Sequence, residues 1–186
     1  MGRTRDDKKV GADKTARTLS GRCVKLYLAG PDVFRPDAET WAAAARAACH
    51  RHGHLALLPL DAAQTAAPGI FRSNLRLLNE ADAVIANLNP FRGQEPDSGT
   101  CVEIGYALAL GKPVLGYADS LRPLRERLQA SGADTEGRFH DASGWTVEDF
   151  GLPFNLMLAV PLPLIEGRLE DALFQVAACL KPGSGF

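Results

Sequence analysis

The sequence predicts an α/β protein, a single domain with a doubly wound, mainly parallel sheet and helices on both faces. Two observations carry that expectation. Short apolar runs ended by turn residues recur along the chain, and stretches of helical length and composition separate them. A third observation bounds it: 186 residues suffice to bury one sizeable core but are few for two domains. Strand–helix alternation of this kind gives a flavodoxin- or Rossmann-like order, whose ligands sit outside the carboxyl ends of the strands at a topological switch point.

Residues 1–22 hold seven basic and three acidic residues and little that is apolar. Burial cannot offset the entropy of ordering them, so they read as a flexible leader to a domain spanning residues 23–182. From Val24 the run VKLYLAG is β-rich and stopped by Gly30-Pro31, a first strand ending in a loop. Asp37 to Arg51, Ala-rich with Trp41, reads as a helix, and His54 to Pro59 as a second strand. Ile70 to Ala81 spaces its apolar residues helically. Asp82 punctuates, and Ala83 to Leu88 is a third strand. Asn89 to Gly99 breaks the pattern with Pro, Gly and acidic residues. A helix from about Thr100 to Leu110 follows, closed by Gly111, and Pro113 to Tyr117 is a fourth strand. Residues 119–150 are polar and irregular, a candidate lid, and Leu169 to Leu180 reads as a terminal helix.

With 46% hydrophobic and 23% charged residues and a formal net charge of −1, the chain carries no general attraction to a nucleic acid polymer or an anionic membrane. No apolar run approaches the roughly 20 residues of a membrane span, and the first residues lack the apolar stretch of a secretory signal, so a cytoplasmic protein is expected. Cys23, Cys49, Cys101 and Cys179 are scattered without CxxC spacing and read as reduced thiols. His50, His52 and His54 invite a metal reading, but Gly53 is expected to end the helix between them. A polar helix end suited to the C-terminal dipole accounts for them, and no metal is expected.

Neither GxGxxG nor GxxxxGK[ST] occurs, so the usual dinucleotide and nucleoside-triphosphate signatures are absent. Acidic residues instead gather where chemistry is expected. Glu95, Asp97 and Glu103 lie in one loop-to-helix junction, and Asp32 follows the first strand. Carboxylates at strand ends suit glycosidic chemistry, in which the ribosyl carbon becomes cationic and must be stabilised or captured by an anion. The same residues have a structural reading: Thr100-Cys101-Val102-Glu103 matches a capping box, and Asp97 and Ser98 are candidate caps.

Three blocks, LYLAGPDVF, ADAVIANLNPFRGQEPDSGTCVEIGYALALGKPVLGY and FGLPFNLML, resemble in that order the nucleoside 2-deoxyribosyltransferase family, and most of all its branch with a PFRG-x-EPD-x-GT signature. The likeness runs from about Val24 to Leu180. It implies transfer of a 2-deoxyribosyl group between nucleobases, a step of nucleotide salvage, by a retaining double displacement without cofactor. It also implies Glu103 as nucleophile, Tyr27 as the hydrogen-bond donor that holds its carboxylate, and Asp97 as the group that holds the sugar 5′-hydroxyl. Asn155, followed by Met157, is implied to complete the site of a neighbouring subunit, so that the protein is a homodimer or higher homo-oligomer. Phe34 is implied to contact the base, beside Gly30 in the same block. An Asp that assists base protonation in some members is replaced here by Asn74, which can hydrogen-bond to a base edge but cannot supply a proton. Asp32 is the substitute acid. A Glu near a helix N-terminus has its anion favoured by the dipole, which suits a nucleophile. Two other readings stand beside transfer: an N-glycosidase acting on (deoxy)nucleosides or nucleoside 5′-monophosphates, and a non-catalytic nucleotide-sensing module.

Overall fold

The computed structural model describes residues 23–61 and 64–179; the leader expected at 1–22 and the end of the terminal helix expected at Leu180 lie outside them. Among the described residues, β1 (Lys25–Ala29), β3 (Ala83–Asn87) and β4 (Val114–Ala118) form the middle of a parallel five-stranded sheet. The edge strands are β2 (Leu55–Leu57) and β7 (Leu164–Glu166), in the order β2-β1-β3-β4-β7. All five residues of β3 and of β4 are buried, as expected of strands covered on both faces. Pairing is in register from Leu26 to Ala83, from Val84 to Val114 and from Gly116 to Leu164.

Successive side chains of a strand point to opposite faces, and the two halves of the core follow that rule. Leu26 and Leu28 of β1 face α1 (Ala38–Arg51) and α6 (Leu169–Cys179), packing with Ala45, Cys49 and Leu173. Tyr27 and Ala29 face the other way, toward α2 (Ala67–Glu80) and α3 (Ser98–Ala109), among Leu77, Leu78 and Ile104. This is the doubly wound arrangement that the alternation of elements predicts. The chain leaves β1 for β2 on one side and returns past β1 to β3 on the other, which puts the switch point between β1 and β3.

Several boundaries differ from the sequence reading. Helix α2 begins at Ala67 rather than Ile70, because Pro68 is admissible in a first turn where its missing N–H is not needed. Helix α3 begins at Ser98 rather than Thr100, with Asp97 as its N-cap. Residues 119–150 are more ordered than their composition suggests: α4 (Leu124–Arg127) is followed by β5 (Phe139–His140) and β6 (Thr146–Val147), an antiparallel pair. One further helical turn, α5 (Leu156–Ala159), precedes β7, which the sequence reading lacked altogether. The histidine cluster falls where expected: α1 ends at Arg51 with His52 as C-cap, and Gly53 turns the chain at φ 78°. Cys49 is a buried free thiol, while Cys23 is exposed and Cys101 is half-buried. No helix among the described residues is long and apolar enough to cross a membrane.

The turn after β1 is where the fold meets the site. Gly30 passes so near β3 that a Cβ there would lie 2.8 Å from Asn87 Cβ and 3.0 Å from Asp32 Oδ2. Both neighbours belong to a buried hydrogen-bonded pair, so neither moves freely. Gly30→Ala is therefore expected to lower stability by about 1–3 kcal/mol through overpacking. Urea unfolding checks this, and an unchanged midpoint would mean that the turn yields without cost.

Candidate active site

The buried stripe of α3, Thr100, Ile104 and Ala107, packs on the sheet, and Glu103 stands beside it on the turn that crosses the end of β1. Tyr27, on the same face of β1, donates its phenolic O–H to Glu103 Oε1 at 2.5 Å. Asn74, one turn before Leu77 and Leu78 on the buried face of α2, donates Nδ2–H to the same oxygen at 3.3 Å. Both donors hold one oxygen. Oε2 accepts no hydrogen bond among the described residues. Burial raises Glu103 from an ordinary value near 4.5 to about 7; the two donors oppose the rise, and the negative charge of Asp97 adds to it. Tyr27 is fully buried and beside that carboxylate, so its phenol is pushed far above its usual range and stays a donor.

Two expectations about this helix start are corrected here. Thr100 and Glu103 do not form a capping box, because Asp97 is the N-cap: its Oδ2 accepts from Thr100 N at 2.9 Å and from Thr100 Oγ1 at 3.1 Å. Glu103 therefore lies beyond the first turn, where the dipole fades. Desolvation outweighs it and favours the protonated form rather than the anion.

Glu103 and Asp97 share a cavity of about 330 Å³, within the range of small-molecule sites. Gly30, Asn74, Gly99 and Thr100 complete its polar end. The rest of the wall is apolar, from Val33, Phe34, Pro59, Leu60 and Ile70, with the amide of Gln64. Phe34 is 55% exposed yet not loose: it stacks on Phe91 with ring centroids 5.3 Å apart, and the Arg92 guanidinium lies over both rings at 5.1 and 4.7 Å.

Of the residues singled out in the sequence, Tyr27, Gly30, Phe34, Asn74, Asp97 and Glu103 thus come together. Asp32 is placed differently. It is buried behind Gly30, accepts from Asn87 Nδ2 at 2.8 Å and lies 3.8 Å from Arg35, off the cavity wall. Asn155 and Met157 are also off this wall. Both are exposed on α5, where Asn155 Oδ1 accepts from Met157 N and Nδ2 donates to Glu148 at 2.7 Å. The sequence reading missed Asn87, Phe91, Arg92, Gln64 and Glu148. Asn87 had a signal, as the polar residue closing an otherwise apolar strand; Gln64 and Glu148 had none.

The buried carboxylate has a cost that titrates. A folded value of about 7 against an unfolded value near 4.5 means that the folded state binds the proton more tightly, so stability falls as pH rises through that interval. Glu103→Gln removes the charge and keeps the shape. It is expected to match the parent at pH 4 and to exceed it at pH 8 by about 1–3 kcal/mol, read by urea unfolding at both values. A variant less stable than the parent at pH 8 would contradict the burial argument.

Comparison with known proteins places the chain among relatives. The family model described as nucleoside 2-deoxyribosyltransferase matches residues 26–157, from β1 to α5. A 2-deoxyribosyltransferase structure from Leishmania mexicana is 38% identical and superposes with a TM-score of 0.70, covering 82% of this chain and 97% of that one. An uncharacterised protein of Schizosaccharomyces pombe is 32% identical over 139 residues, 67% of this chain and 66% of its own length. A Thermofilum pendens protein, named provisionally as a 2′-deoxynucleoside 5′-phosphate N-hydrolase, is 38% identical over 68 residues, 37% of this chain and 41% of its own length. With the matched segment running from Leu26 through the Tyr27, Asp97 and Glu103 cluster to Met157, the chain belongs to the nucleoside 2-deoxyribosyltransferase family.

Proposed function

We propose that the protein transfers a 2-deoxyribosyl group between nucleobases through a glycosyl ester on Glu103. The observation that carries this reading is the Glu103 carboxylate at the cavity wall, with Oε1 held by Tyr27 and Asn74 and Oε2 unpartnered. A nucleophile needs one oxygen fixed and the other free. Oε2 attacks C1′ as the C–N bond breaks, and the base leaves with the bonding pair and takes a proton from solvent. A second base then attacks C1′ through a ring nitrogen from the opposite side, gives up its N–H proton to solvent and releases Glu103 with configuration retained. Desolvation, which raises the Glu103 carboxyl to about 7, also leaves its anion poorly hydrated and more reactive.

The rest of the cavity fits the two halves of such a substrate. The apolar wall around Phe34 and Ile70 suits a planar base, and the polar end suits the sugar. Asp97 repeats the pattern of Glu103: Oδ2 is used by Thr100, and Oδ1 accepts no hydrogen bond among the described residues. That oxygen suits a 5′-hydroxyl and would repel a 5′-phosphate. Hydrolysis of the same ester is the second reading, favoured by the Thermofilum relative; water then replaces the second base. Asn155 serves the site of a neighbouring subunit, a role suited to an exposed amide flanked by Met157, 72% exposed.

Incubation with 2′-deoxyadenosine and a second free base tests the reading. New deoxynucleoside supports transfer, adenine and free deoxyribose alone support hydrolysis, and no product rejects both. Glu103→Gln is expected to reduce kcat at least a thousandfold, about 4 kcal/mol or more; activity within tenfold of the parent would exclude the ester. For the shared site, inactive Glu103→Ala and Asn155→Ala chains are mixed. Activity is expected to return, since a mixed dimer holds one site with both native groups. Persistent inactivity despite demonstrated subunit exchange would show that Asn155 does not serve a partner.

A further inference from the structure

Resting on the reading of Glu103 as nucleophile, we propose that Asn74 is a positioning residue: its carboxamide holds Glu103 by Oε1, keeps that carboxylate available as an anion, and leaves Oε2 to meet the sugar. Asn74 Oδ1 is buried and has no hydrogen-bond partner among the described residues, although Nδ2 is engaged with Glu103. An amide placed for stability alone would satisfy both ends, because a buried unpaired carbonyl costs free energy. The orientation is nonetheless fixed. A carboxylate accepts the N–H and repels the carbonyl, so turning the amide over would set Oδ1 against Glu103 Oε1. Asn74 therefore leaves its Oδ1 without a partner among the described residues while directing its donor at Glu103.

The groups facing Glu103 are few. Tyr27 comes from β1, Asn74 from α2 and Asp97 from the N-cap of α3. Tyr27 and Asn74 favour the anion, while burial and Asp97 oppose it. The balance lies near neutrality, so removing one of the two donors moves the protonation of Glu103 across the working range. A carboxyl in place of the amide would act oppositely. Two carboxyls at this distance share a proton, and one of the pair is driven well above its ordinary range.

The test reads Glu103 itself. Protein labelled with ¹³C at glutamate side-chain carboxyls is titrated by NMR, and the resonance missing in Glu103→Gln identifies the group. Asn74→Leu, which keeps the branching of Asn but is bulkier, is expected to move the midpoint up by about half a pH unit, the effect of losing one long hydrogen bond to the anion. The acid limb of kcat/KM should move by the same amount, with KM little changed above it. Asn74→Asp should split the titration, with its upper step above that of the parent. A folded Asn74→Leu protein whose Glu103 titrates at the parent pH overturns the proposal, as does an Asn74→Asp protein with a single unshifted step. Asn74→Ala gives the same reading should the Leu variant fail to fold. The titration stands apart from turnover: a parent with no transferase or hydrolase activity would reject the proposed function while leaving the midpoints to decide the role of Asn74.

Discussion

The hydrogen bond from Tyr27 to Glu103 joins an inner strand of the sheet to the helix that follows the acidic loop, and the geometry of the site depends on it. Tyr27 is fully buried, held by the pairing of β1 with both of its neighbours, so its hydroxyl is a fixed point. The helix brings Glu103 to that point because Thr100 and Ile104 dock on the sheet beside it. Strand alternation thus decides which side of the sheet carries Glu103. Were Tyr27 one residue earlier or later, its hydroxyl would lie among the residues packed by α1 and α6.

Helix capping and burial against the sheet are divided between two acidic residues six apart in sequence. Asp97 ties down the first turn of α3 through Thr100, which releases Glu103 from any duty to the helix backbone. Each carboxylate is then anchored by one oxygen and open at the other. The division has a physical basis: the N-cap is partly hydrated, whereas the residue nearly two turns later lies against the sheet and is more desolvated.

The strands that position the site were legible because β1, β3 and β4 are continuous apolar runs bounded by turn residues, the pattern of strands buried on both faces. Strand β7 was not, since three residues following Pro163 give no periodicity to read, and the two-residue strands β5 and β6 give less. Two caps were legible at this helix start, the capping box at Thr100 and Asp97 three residues earlier; spacing alone does not choose between them, and the structure selects Asp97. Residues joined by long-range contact stayed hidden. Asp32 looked like a free acid after a strand, and only the fold reveals that Asn87, 55 residues away, claims its carboxylate. The bond from the Asn155 amide to Glu148 was equally invisible, because Glu148 lies in a stretch whose composition suggested a loop.

The stack of Phe34, Phe91 and Arg92 has a thermodynamic consequence. A phenyl ring more than half open to water would ordinarily sample several rotamers, and fixing it on a ligand would cost about 0.5–1.5 kcal/mol. Here the neighbouring ring and the guanidinium have already restricted it, so that entropy is lost during folding rather than at each encounter. A wall built this way discriminates little between planar ligands of similar size, because its contribution is a preset surface rather than a pattern of donors and acceptors.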